Sequence, residues 1–385
     1  MSDLTVILKV TERCNLNCSY CYYFNGLDQS FKSRPAALTR NVLNHVIQFL
    51  LDGINHFAIE KLNISLHGGE PLLLNKIDFE YICNQLRLNL EPKLDKLNIS
   101  TQTNGTLIND FGIDIFEKYN IKVGISIDGT RKHHDEFRID HKNKGSYEKI
   151  VKSINLLHKR NFDFGILSVI DPTQNAREIF YSFVQELGAT GMDFLLPDFN
   201  HNTIPISFSP ENYGKFMIDL LDTWIENNNP EIKIRFLQSS INVFLGSDGL
   251  IYGQGLDKSI KNNLHIISIR SDGDLGPSDE LMSTDPQTVT LSNANVSLTS
   301  MKEYLKYPIF NELSLALTNS PTECLQCCWY KTCGGGNLVN RFSEKKRFNN
   351  PSIYCNGLKL FYSKILKELI SNGISSQVLA NNLLG

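Results

Sequence analysis

The sequence predicts an α/β fold: six strand–helix units forming a parallel sheet with helices outside it, then a smaller irregular domain that carries cysteines. Two patterns point there. Short apolar runs alternate with amphipathic stretches through the first two thirds of the chain, and the cysteines gather in two clusters, at 14–21 and 324–355.

Strands are expected at residues 6–10, 62–66, 97–101, 123–127, 164–169 and 193–196, each a short run rich in apolar and β-branched side chains. Helical periodicity predicts helices at 39–51, 77–88, 108–119, 147–159 and 176–187, with a further one at 210–226. A strand that returns to the same sheet through a helix does so in parallel, so the repeated unit makes either an open barrel or a doubly wound sheet. After about residue 229 the alternation fades. The chain is therefore divided into 1–229 and 230–385, with a C-terminal helix at 358–369.

The 385 residues are 41% hydrophobic and 21% charged, ordinary globular values, and the formal charge of -3 gives no reason to expect nucleic acid or an anionic membrane as partner. No apolar run reaches membrane-spanning length, and Met1-Ser2-Asp3 leads straight into the first strand without a signal peptide, so a cytoplasmic location is expected. The early start of that strand also leaves no leader-recognition domain to expect ahead of it.

Nine cysteines in a chain without an export signal point to metal rather than disulfides. Cys83 stands alone in an apolar-periodic stretch and reads as a core residue. Cys14, Cys18 and Cys21 form a C-x₃-C-x₂-C run on the loop after the first strand. A [4Fe–4S] cluster takes four ligands, so three thiolates leave one iron open to an exogenous chelator. A zinc site completed by His67 or a distant cysteine is the alternative. The loops after the next strands are also unusual: His67-Gly68-Gly69-Glu70-Pro71, Gln102-Thr103-Asn104-Gly105 and Asp128-Gly129. In barrel folds such loops build the active site.

These segments together resemble the radical SAM superfamily, whose signature is C-x₃-C-x-aromatic-C after the first barrel strand; Tyr20 fills the aromatic position. The resemblance implies a partial (β/α)6 TIM-type barrel, S-adenosylmethionine (SAM) as cofactor, and a [4Fe–4S] cluster on Cys14, Cys18 and Cys21. It places Tyr20 by the adenine, Gly68 and Gly69 at the methionyl end, and Glu70 on the ammonium. Ser126 and Arg138 would meet the carboxylate, with Gln102, Asn104 and Asp128 as further contacts. Each has a quieter reading: Gln102, Asn104 and Asp128 as turn residues, Arg138 as a solvated charge.

Cys324, Cys327, Cys333 and the distant Cys355, with the Cys333-Gly334-Gly335-Gly336-Asn337 stretch, resemble the SPASM domain of peptide-modifying radical SAM enzymes. That likeness implies one auxiliary [4Fe–4S] cluster; a four-cysteine zinc ribbon is the alternative. The second auxiliary set is missing, since Asn337 and Ser278 stand where the family has cysteines. Cys328 has no assigned place. Loss of that set, with Asp272-Gly273-x₃-Pro277-x-Asp279, resembles the cyclophane-forming maturases related to darobactin biosynthesis. The implied activity joins an aromatic ring to the β-carbon of a nearby residue in a ribosomally made precursor peptide. An electron donor such as flavodoxin or ferredoxin is implied, and Asp279 becomes the candidate proton acceptor, with a helix N-cap as its bland alternative. A sulfatase-maturase-like or thioether-forming enzyme, and a non-catalytic peptide binder with structural metal, are the competing functions.

Overall fold

The structure, a computed structural model, describes residues 2–249 and 265–384. All six expected strands form: β1 (Asp3–Thr11), β2 (Lys61–Gly68), β3 (Lys96–Thr103), β4 (Ile121–Ser126), β5 (Phe164–Val169) and β6 (Gly191–Leu195). The intervening helices are α1 (Arg40–Phe57), α2 (Lys76–Leu90), α3 (Asp110–Lys118), α4 (Arg131–Phe137), α5 (Tyr147–Lys159) and α6 (Ala176–Tyr181), followed after β6 by α7 (Pro210–Asn227).

Packing divides the chain into two compact units. The first comprises Met1–Ile127, Arg131–Gly165 and Leu264–Asn311; the second comprises Asp128–Thr130, Ile166–Asn263 and Glu312–Gly385. These units do not coincide with the division at residue 229, because a late segment pairs back onto the first strand.

In the first unit the strand order is β4-β3-β2-β1-β8-β9, with β8 at Ile266–Ile269 and β9 at Leu275–Gly276. Strands β1 to β4 pair in parallel, β8 runs parallel to β1, and β9 is antiparallel to β8. Register explains the core. Leu4, Leu62 and Leu97 stand side by side, then Val6, Ile64 and Ile99, then Leu8, Leu66 and Thr101. All nine side chains are buried. Each large aliphatic one contributes roughly 1.5–3 kcal/mol by leaving water. A one-residue slip would turn the whole set outward, so these ladders fix where every following loop emerges.

The late strands were not expected from sequence. Ile266–Ile269 is fully buried but only four residues long, too short to show a period.

The second unit holds β7-β6-β5, with β7 at Lys233–Ile234 parallel to β6, and then α8 (Arg235–Phe244). Asn175 and Ser209 cap α6 and α7, with Pro210 at the first position of α7. The helix expected over 176–187 ends as α6 at Tyr181 and passes into a π turn, Ser182–Glu186. Its apolar spacing continues through both, so sequence does not separate them. Near the C-terminus, helix Cys355–Ser371 packs along α7. Among the described residues no helix is long and apolar enough to cross a membrane.

Candidate active site

The cysteine loop leaves β1 at Thr11 and is held by backbone bonds to the segment after α4. Asn17 N–H donates to Ile139 O at 2.7 Å and Ser19 N–H to Phe137 O at 3.1 Å, and Leu16 bridges Asp140. Cys14, Cys18 and Cys21 are all partly exposed and none is in a disulfide. Burial pushes the Cys14 thiol up to about 12, against the opposing pull of the Leu16 N–H. Metal coordination is what would turn such a thiol into a thiolate at neutral pH.

Gly68 and Gly69 bring the loop after β2 against this one. Gly69 N–H donates to Thr11 O at 3.0 Å and Glu70 N–H to Arg13 O at 2.9 Å. A Cβ at Gly68, where φ is +129°, would lie 2.0 Å from Thr11 O, and one at Gly69 would lie 2.1 Å from Arg13 O. What requires glycine here is therefore the neighbouring chain itself.

Glu70 is fully buried and ties the β2 and β3 loops together. Its Oε1 accepts from Thr103 Oγ1 at 2.6 Å and Leu72 N–H at 3.0 Å, and its Oε2 accepts from Asn104 N–H at 2.7 Å. Burial raises its pKa against those three donors. Asn104 reaches the cysteine loop, with Nδ2 donating to Asn15 Oδ1 at 2.8 Å and lying 3.9 Å from Cys14 Sγ. Its Oδ1 meanwhile caps the turn at Thr106.

The other expected site residues are placed as follows. Gln102 Nε2 donates to Ser126 Oγ at 2.8 Å, linking β3 to β4. The Arg138 guanidinium lies 5.6 Å from the centroid of the half-exposed Tyr20 ring, within cation–π range. Asp128 lies in the second unit, buried, and accepts from Val169 N–H at 3.0 Å.

Beside the cysteine loop is a charged cluster that sequence reasoning missed. Lys9, in the middle of the apolar run of β1, is completely buried. It forms an ion pair with Asp279, donates to His67 Nδ1 at 3.0 Å, and lies 4.7 Å from the centroid of the Tyr23 ring. Tyr22, next to Cys21, donates its hydroxyl to Asp279 Oδ2 at 2.8 Å. Burial alone would raise the Asp279 pKa, but Lys9, His67 and the Tyr22 hydroxyl outweigh it and hold the carboxyl well below the usual range. Asp279 opens a short 3-10 turn, yet no side-chain bond caps that turn and Asp279 itself faces Lys9. The available signal was a lone lysine inside an otherwise apolar strand that leads into the cysteines. Behind it, Tyr23 donates to Glu12, and Arg270 contacts Tyr23 at 3.3 Å and Asp28 at 3.1 Å, all buried.

His67 gives the first unit a pH signature. Burial, followed by the Lys9 charge, lowers its pKa to about 4. A folded pKa below the unfolded one means that stability is complete above about pH 6.5 and is lost as pH falls toward 4. Allowing for partial exposure of the ring, the loss is about 2 kcal/mol. The His67→Gln variant should show a flatter profile across that window in denaturant melts at stepped pH; an unchanged slope would contradict the assignment.

In the second unit Cys324, Cys327, Cys333 and Cys355 line a single cavity with Trp329, Gly335 and Tyr362 among its other walls. Burial pushes the Cys333 thiol up to about 12, and Cys324 and Cys355 are raised in the same way. Cys328 is exposed and lies outside the cavity lining. Among the described residues, no three His, Cys, Asp or Glu side chains converge on a single-ion site. Asn337 caps the turn Leu338–Arg341 through Val339 N–H, and Ser278 is buried at the head of the turn that carries Asp279.

Residues 8–182 match the family model of the radical SAM superfamily. An uncharacterized protein of Methanocaldococcus jannaschii is 32% identical over 258 residues, 64% of this chain and 83% of that one. The chain belongs to the radical SAM superfamily. A cysteine-type anaerobic sulfatase-maturating enzyme of Clostridium novyi is 27% identical across 96% of this radical SAM chain and 97% of its own. A serine-type enzyme of Bacteroides thetaiotaomicron is 25% identical across 86% and 81%. Among solved structures, anSMEcpe with bound AdoMet and Cp18Cys peptide superposes with a TM-score of 0.80 at 24% identity, covering 99% of each chain. Streptococcus suis SuiB gives 0.63 at 16% identity, over 92% of this chain and 77% of that one. The α/β radical SAM fold, with its parallel sheet, is thereby established. S-adenosylmethionine and a [4Fe–4S] cluster are the cofactors of this superfamily, and the donor set fits them: three cysteines on one loop, with Cys83, the other cysteine of that unit, buried within α2.

Proposed function

We propose that this radical SAM protein modifies a ribosomally made precursor peptide, joining an aromatic ring carbon to the β-carbon of a nearby residue. Cys14, Cys18 and Cys21 would hold the SAM-binding cluster, and Cys324, Cys327, Cys333 and Cys355 one auxiliary cluster. When bound and reduced, these groups supply hydrogen-atom abstraction from an unactivated C–H bond and a sink for the electron released when the ring regains aromaticity. Tyr20, Gly68, Gly69, Glu70, Gln102, Asn104, Ser126, Asp128 and Arg138 are assigned to the cofactor on the family pattern. Of these, Glu70 and Asn104 are supported by their contacts around the cysteine loop.

The observation that carries the cross-linking reading is the pairing of one complete four-cysteine set around a cavity with Ser278 and Asn337 at the positions of the missing set. Asp279 adds to it. A carboxylate ion-paired with Lys9 is a weak base. It suits a proton leaving a cationic ring on its way back to aromaticity, which is strongly acidic. It suits less well the thiol of a cysteine substrate, whose ordinary pKa is near 8.5. A sulfatase-maturase-type reaction is the second reading, favoured by the Clostridium novyi relative that spans nearly the whole chain.

Co-expression with a candidate precursor peptide sought among the neighbouring reading frames, followed by tandem mass spectrometry, separates the two. A cross-link removes two hydrogens and joins fragments of two residues. A maturase product carries an aldehyde that a hydrazide probe captures. In the Asp279→Asn variant, iron content should persist while the product rate falls about 100-fold or more. Product at the wild-type rate would remove Asp279 from the proton-transfer role.

A further inference from the structure

The four-cysteine cavity has a neighbour that no ligand pattern includes. Arg341 is completely buried, 0% exposed, an uncommon position for a guanidinium. Three backbone carbonyls take part of its donor set. Nε reaches Phe348 O at 3.1 Å and Asn350 O at 3.2 Å, and Nη2 reaches Ala316 O at 2.9 Å. Nη1 is buried with no partner. A buried donor on a charged group is costly to leave unpaired unless something receives it.

The surroundings of Nη1 indicate the receiver. A Cβ at Gly335 would lie 3.3 Å from Nη1 and 3.4 Å from Ser320 Oγ, and Gly335 itself lines the cavity with Cys324, Cys327, Cys333 and Cys355. Gly335 is thus shared: it lines the cavity, and a Cβ built on it would be in contact with the orphaned donor. Among the described residues no carboxylate pairs with Arg341. Burial lowers its pKa, and Cys324, Tyr330 and Cys333, once ionised, would act in the opposite direction. Thr332, adjacent to Cys333, is a second fully buried residue whose hydroxyl lacks a partner.

We infer that Arg341 is a positioning residue for the group held by the four cysteines: its Nη1 donates to a sulfur of that group, and its charge stabilises the more negative, reduced state. This rests on the auxiliary-cluster reading above. A zinc tetrathiolate would use the same four cysteines but has no reduced state for Arg341 to favour. An arginine placed this way makes the cluster a better electron acceptor, since hydrogen bonds to sulfur and net charge set such potentials.

The test uses the full chain with Cys14, Cys18 and Cys21 replaced by alanine, reconstituted anaerobically so that a single cluster remains. Iron and sulfide are counted first. About four irons per chain are expected; zinc in their place overturns the auxiliary-cluster reading itself, and the role of Arg341 with it. With iron present, the protein labelled with ¹⁵N-arginine is reduced and examined by pulsed EPR. A weak guanidinium nitrogen coupling is expected; its absence overturns the role of Arg341 alone. Arg341→Gln should then shift the oxidised-to-reduced ratio at fixed potential at least tenfold toward oxidised, about 59 mV for one electron. Arg341→Lys, which keeps the charge, should shift it less. An unchanged midpoint in a glutamine variant that holds its iron would show Arg341 to be only a staple between loops. If neither variant holds a cluster, the labelled unsubstituted Arg341 protein decides by itself.

Discussion

Replacing Cys14, Cys18 and Cys21 together by alanine abolishes 5′-deoxyadenosine release, and iron content falls by about half, from two four-iron sites to one. The loss should be complete rather than graded, because the rest of the chain offers no substitute. Cys83 is fully buried in α2, and the other five cysteines belong to the second unit. The fold should survive the change. The loop is held by the backbone bonds of Asn17 and Ser19 and by the contacts of Gly69 and Glu70 with Thr11 and Arg13, none of which involves sulfur. Circular dichroism of the triple variant checks this. Liquid chromatography of the dithionite-reduced reaction then checks the chemistry, and continued SAM cleavage by the folded variant would contradict the cluster assignment.

Lys9→Met should destabilise the first unit by about 3 kcal/mol or more, because it strands the Asp279 carboxylate in a buried site with its counter-charge removed. Melting temperature should drop by about 6 °C or more. The double variant Lys9→Met/Asp279→Leu should recover most of the loss, since removing both charges also removes the unpaired one. The sign with pH is fixed as well. The folded pKa of Asp279 is depressed by Lys9, His67 and Tyr22 against the effect of burial. Its contribution is therefore fully present above the unfolded value near 3.9 and disappears as pH falls below it. Equal instability of the single and double variants would show that the pair is not the source of the effect.

How much of this was legible in the sequence follows from what each feature depends on. The six strands and the helices between them announce themselves through local periodicity, and β5 and α5 form over the expected spans, 164–169 and 147–159. The cysteine loop and Gly68-Gly69-Glu70 are contiguous, so they are readable as motifs. Features that arise from long-range pairing were not. Strand β8 acquires its place only by lying beside β1, far away in sequence. Lys9 meets Asp279 across 270 positions, and no local pattern joins them. Arg341 looks like an ordinary solvated charge after a triple glycine until its burial is seen. Glu70 shows a subtler case: the residue was identified, but its three intramolecular hydrogen bonds, which tie two loops together, depend on the β2–β3 register.

Fold and reaction rest on different parts of the chain. Relatives named as sulfatase-maturating enzymes share the architecture across nearly all of the chain. Under the proposal above, the reaction would turn on a handful of side chains within it, such as Asp279, Ser278 and Asn337.

The most direct measurement is the EPR spectrum of anaerobically prepared, reduced enzyme before and after addition of SAM, with metal analysis of the same sample. A [4Fe–4S] signal that changes on SAM addition, accompanied by formation of 5′-deoxyadenosine, is the result expected from an iron left open by three cysteines. Zinc at Cys14, Cys18 and Cys21, or a cluster signal indifferent to SAM, would contradict it.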